Sequence, residues 1–178
     1  MNAVSKTVRI GLGTLLTLAV AAPVVAQERL EAAAYRTEAA VAYSLLRDVG
    51  ELGKTGFLVD FGKQVMTIGN MQASVVGEFA VHKFSGNFDE VYVQGAGGLR
   101  LGKMASDRVR AFGQIMVGPQ YEFGSTGFVI QPGGGVSVRA NGRMDTRIQV
   151  DFPVLRWEGK TYKQFRFSAG VGIAIGRQ

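Results

Sequence analysis

The stretch QFRFSAGVGIAIG, residues 164–176, puts Phe165, Phe167, Ala169, Val171, Ile173 and Ile175 on alternate positions, with Arg166, Ser168, Gly170, Gly172 and Ala174 between them. An amphipathic helix would repeat its apolar residues every three or four positions. A period of two belongs to a strand, whose successive side chains point to opposite faces. This segment therefore reads as a strand with one apolar face and one face of small or polar residues.

The pattern recurs upstream. TRIQVDFPV (146–154) sets Thr146, Ile148, Val150, Phe152 and Val154 against Arg147, Gln149, Asp151 and Pro153. FVIQPGGGVSVR (128–139) sets Phe128, Ile130, Val136 and Val138 against Gln131, Ser137 and Arg139. Between these two segments lies Asn141-Gly142, a strong hairpin signal, so they pair as antiparallel neighbours. Five more segments alternate in the same way: 38–47, 56–66, 71–84, 91–102 and 108–123. The connectors 48–55, 67–70, 85–90, 103–107, 124–127, 140–143 and 157–163 are short and polar. Eight strands with short connectors and no intervening helical period predict an up-and-down antiparallel meander.

The second face decides which way the sheet closes. A soluble barrel hides its apolar face, whereas a membrane barrel shows it to lipid and keeps a polar interior. The second face here is rich in Gly, Ala, Ser and Gln and carries single charges: Asp60, Glu78, Arg100, Arg110, Arg139, Arg147, Asp151 and Arg166. Small residues with scattered charges of both signs suit the cramped interior of a narrow barrel. The expectation is an all-β, eight-stranded transmembrane barrel over 37–176. Those eight charges form its lumen network, and Ile148, Val150, Phe152, Phe165, Phe167, Val171 and Ile173 face lipid. The lysines Lys54, Lys103, Lys160 and Lys163 read as connector or strand-end residues. Trp157, Tyr162, Phe123 and Tyr121 read as an interfacial aromatic girdle. A soluble lipocalin-like barrel with an apolar ligand inside is the competing architecture.

The first 26 residues read as a cleavable signal peptide. Lys6 and Arg9 precede an uncharged apolar run from Ile10 to Ala22, followed by Pro23 and the small-residue end Val24, Val25, Ala26. Residues 27–36 then form an N-terminal tail. Removing residues 1–26 lowers the formal net charge from +6 to +4. That balance, with no run of Lys or Arg, excludes a nucleic-acid patch. The chain has no cysteine, so it holds together without disulfides.

The segments AFGQIMVGPQYEFGSTGFVIQPGGGVSVRANGRMDTRIQVDFPV (111–154) and QFRFSAGVGIAIG (164–176) resemble the outer-membrane β-barrel domain family, the small barrels of the OmpA/OmpX type. Its most specific parts are QPGGGVSVR, the Arg147–Asp151 strand and FRFSAGV. The resemblance implies an eight-stranded antiparallel barrel in the outer membrane of a Gram-negative cell, surrounded by outer-membrane lipid and inserted by the barrel assembly machinery. Members usually end in an aromatic residue that assists assembly; here Ile173 and Ile175 stand in its place.

Few residues suggest chemistry. His82 is the only histidine. With Ser74 or Ser85 and an acid such as Glu78 it would sketch a hydrolase acting on lipid, but a triad is defined by geometry, and a hydrogen-bonded or solvated histidine is the plainer reading. The glycines of QPGGG lack the spacing and the strand–turn–helix setting of a phosphate loop, and read as a bend. One His and no Cys give no metal set. The expected protein is a non-enzymatic barrel with a structural or surface-interaction role, without cofactor.

Overall fold

A computed structural model describes residues 37–48, 53–84, 91–122 and 124–175. The expected signal peptide and tail fall outside these residues. Nine strands are present: β1 Thr37–Asp48, β2 Lys54–Ile68, β3 Met71–Phe84, β4 Val91–Met104, β5 Val109–Glu122, β6 Ser125–Arg139, β7 Met144–Asp151, β8 Val154–Trp157 and β9 Lys160–Ile175. Each pairs antiparallel with its neighbours, and β1 pairs with β9 from Thr37↔Ile175 to Asp48↔Gln164. That pairing closes the sheet into a barrel and removes both edges.

The barrel has eight staves, because β7 and β8 are one stave. Asp151 faces Gly133 and Val154 faces Ile130, so the register with β6 runs through unbroken. Pro153 lacks an N–H and interrupts the ladder, but the carbonyls still accept: Phe152 N–H donates to Pro132 O at 2.9 Å and Gln164 N–H to Pro153 O at 2.8 Å.

The strands outrun the alternation at the end away from the paired termini. β6 starts at Ser125 and β9 at Lys160, inside the expected connectors 124–127 and 157–163. Pairing continues there, as in Tyr121↔Thr126 and Arg156↔Thr161, although the apolar alternation has ended. The turn into β9 needs only Glu158 and Gly159, both at positive φ (47° and 76°), as a two-residue type I′ hairpin requires. The Asn141-Gly142 hairpin closes differently: the Asn141 side chain accepts from the N–H groups of Arg143 and Met144, forming a four-residue loop over 140–143.

The apolar face points outward. Phe57, Phe61, Phe79, Leu99, Ile115 and Ile148 are each more than half exposed. The inward positions hold the buried polar residues, among them Asp60, Glu78, Arg100, Arg147, Asp151 and Arg166. A soluble barrel with an apolar interior is thereby excluded. A closed barrel with an apolar outer wall, a polar inner one and strands of 12–16 residues in seven of its eight staves is long enough to span a bilayer. We call the end where Thr37 meets Ile175 the terminal end, and the opposite one the distal end.

Candidate functional site: the charged lumen

Period-two geometry turns one side chain in two toward the barrel axis, and eight staves leave a lumen that side chains can fill. Toward the terminal end, Glu38, Asp60, Arg100, Arg110 and Arg147 meet from five strands. Arg100 donates from Nη1 to Glu38 Oε1 at 2.9 Å and from Nη2 to Asp60. Arg147 donates to both Asp60 oxygens at 2.9 and 3.0 Å and to Glu38 Oε1 at 3.2 Å. Arg110 closes the group by donating to Glu38 Oε2 at 2.7 Å. The Phe112 ring lies under two of these guanidinium groups, with Arg100 Cζ 4.8 Å and Arg147 Cζ 5.4 Å from its centroid.

Deeper in the lumen, Arg166 grips Glu78 with both Nη atoms, at 2.6 and 2.7 Å, and donates to Asp151 Oδ2 at 2.7 and 3.1 Å. The side chains of all three are fully buried. Two glutamines join the groups. Gln114 accepts from Arg100 at 2.9 Å and donates to Asp151 at 3.2 Å. Gln131 donates to Glu78 at 3.4 Å and accepts from Gln94 at 2.6 Å. The Tyr92 hydroxyl then bridges Gln94 and Gln120, and Gln120 donates to Glu122 at 3.4 Å, which pairs with Lys54. The hydrogen bonds thus run unbroken from Arg110 near one mouth to Lys54 near the other.

The charges in this chain balance. Five cations (Lys54, Arg100, Arg110, Arg147, Arg166) meet five carboxylates (Glu38, Asp60, Glu78, Glu122, Asp151). An uncompensated charge in such a place costs several kcal/mol, so each needs its partner. Small residues make the room. A Cβ on Gly133 would lie 1.9 Å from Asp151 Oδ1, so the carboxylate occupies the place a side chain would take. The lumen also has an apolar strip, where Leu58 packs between Ala42 and Ala80.

Seven of the eight charges read from the sequence meet in this network. Arg139 does not: it is the last residue of β6, exposed at the terminal mouth, beyond the buried carboxylates. Three members escaped the sequence reading. Glu38 shares the parity of Ala42 and Ser44, and Glu122 that of Gln114 and Gln120, so extending the alternation by one step would have found both. Lys54, read as a connector lysine, opens β2 and is buried against Glu122. Arg110 pairs with Glu38.

The outward residues Ile148, Phe152, Phe165, Phe167, Val171 and Ile173 are exposed, and Val150 is half-buried. Trp157 and Tyr162 do not form part of an outward-facing interfacial girdle. They sit at inward parity at the distal mouth, with ring centroids 6.1 Å apart. Phe123 lies outside the described residues. His82 Nε2 is 3.0 Å from Ser44 Oγ, not from Ser74. Both residues are wholly buried, Nδ1 has no partner, and Glu78 is held by Arg166. Among the described residues no acid orients the imidazole; Ser85 lies outside them. Among the described residues no cluster of His, Asp and Glu could hold a metal.

No family model and no curated protein sequence matches the chain. Solved structures match its architecture. Neisserial surface protein A superposes with a TM-score of 0.57 at 13% identity, covering 78% of this chain and 96% of that one. The fold is that of the small outer-membrane β-barrels. A second such barrel, Ail, the attachment invasion locus protein of Yersinia pestis, solved with the heparin analogue sucrose octasulfate, gives a TM-score of 0.52 at 14% identity over 79% of this chain and 97% of that one. Both likenesses extend over nearly the whole of the other barrel, so all eight staves are shared.

Proposed function

We propose that this chain is a non-enzymatic outer-membrane barrel with a structural or surface-interaction role, and that its lumen is shut to solutes. The observation that carries this reading is the continuous, charge-balanced chain of hydrogen bonds from Arg110 to Lys54 across buried side chains. An open channel of the porin kind takes about 16 strands, and here eight staves enclose a filled core. The outward row Ile148, Val150, Phe152, Phe165, Phe167, Val171 and Ile173 touches lipid, and the barrel assembly machinery inserts the chain. The absence of an acid at His82 Nδ1 and the burial of Ser44 favour a structural role for that pair.

Membrane extraction tests the location. The protein should stay in the membrane pellet through a urea wash and migrate faster unboiled than boiled on a gel. Vesicles carrying it should exclude small sugars. Release by urea, or sugar entry at the rate of an open porin, would overturn the reading.

A further inference from the structure

At the terminal mouth the network gives way to a cavity of about 120 Å³, lined among others by Glu38, Arg108, Arg110, Arg139, Arg143 and Asp145. Four cations and two carboxylates meet there. One cation is already engaged, since Arg110 pairs with Glu38 and forms the floor. Arg108, Arg139 and Arg143 have no ion pair with any described carboxylate. Asp145 faces Arg139 across the β6–β7 ladder, but its Oδ1 is buried without a partner, and a Cβ on Gly172 would come within 2.6 Å of it. That carboxylate lines the cavity without an ion pair to a described residue, and with Glu38 it leaves the lining two positive charges in excess.

The main chain fixes where the three arginines start. Arg139 N–H donates to Arg108 O at 2.7 Å, which ties the β4–β5 turn to the end of β6. Ala174 N–H donates to Arg143 O at 2.8 Å, which ties the β6–β7 turn to β9. Three neighbouring stave ends thus bring three exposed guanidinium groups around one blind cavity. Like charges gathered without a counter-ion repel one another, and a multiply charged oxyanion relieves that repulsion. Guanidinium groups match phosphate oxygens in pairs.

We infer that this mouth is a binding site for a phosphate group, held by Arg108, Arg139 and Arg143. The inference goes beyond the closed-barrel reading and does not depend on it. The ligand is either free phosphate in the aqueous compartment or the phosphate of a lipid headgroup at the same end of the barrel.

The test is a titration of the detergent-solubilised barrel with inorganic pyrophosphate, followed by calorimetry. Saturable binding that weakens as salt is raised is expected. Arg139→Gln and Arg143→Gln should each weaken it about tenfold, with the fold checked by unchanged heat-modifiability. Arg108→Gln should do the same from a different turn. Absence of saturation, or variants that bind as tightly as the unaltered protein, would overturn the site. Competition in detergent identifies the source. Displacement of pyrophosphate by micelle-dispersed phosphatidic acid at concentrations where inorganic phosphate has no effect marks lipid phosphate as the occupant, and equal displacement by the two marks the free anion.

Discussion

Inside the barrel, Arg100, Arg147 and Arg166 each touch two carboxylates. At the terminal mouth, Arg108, Arg139 and Arg143 touch none among the described residues. Arg108 and Arg143 lie in turns of the sheet whose strands carry the other four, and Arg139 even shares the inward parity of the buried three. The difference is solvent. Away from water a guanidinium must be paired, and each pairing binds staves together. At the mouth water carries the charge, and the guanidinium stays available to another anion. The buried arginines therefore hold the structure, and those at the mouth are free to bind.

Neutralising one arginine in each region gives the largest contrast. Arg166→Met leaves Glu78 and Asp151 buried together without their cation and should cost ~3–5 kcal/mol, read as a lower urea midpoint for barrel unfolding in vesicles. Arg139→Met should leave that midpoint where it is. Equal shifts would erase the distinction between the two regions.

A charge on the outer wall tests the other boundary of the network. Ile148→Arg places a cation among exposed apolar residues and should cost ~2–4 kcal/mol if the wall meets hydrocarbon. Ser125→Arg, at the distal start of β6, should cost little. A folding assay that tolerated both equally would contradict a lipid-facing wall.

A smaller effect sharpens the role of the small inward residues. Gly133→Ala puts a methyl group where Asp151 Oδ1 now lies, displaces the carboxylate from Arg166, and should cost ~1–3 kcal/mol through forced repacking. Gly142→Ala, with nothing within 4 Å of the added atom, is the matched control.

The alternation in residues 164–175 already contained the fold, because one face of each strand had to meet lipid and the other a narrow lumen. Parity alone placed Arg166, Asp151 and Glu78 on the inner face. It could not show that Arg166 bridges the other two, since partners across a lumen depend on how far each stave is shifted along the barrel axis. Nor could it set the ends of the network. Arg139 has inward parity but lies past the last buried carboxylate, and Lys54 looked like a loop lysine because Gly53 and Gly56 flank it. Pro153 would argue against a central strand, yet the stave passes through it, since the carbonyls on both sides still accept.

The lumen is filled and neutralised by its own side chains, and single-channel recording in a planar bilayer tests that directly. The purified barrel, inserted under a steady voltage, should show no large, sustained conductance. Stable openings in the unaltered protein, wide enough to pass sugars, would contradict a filled lumen.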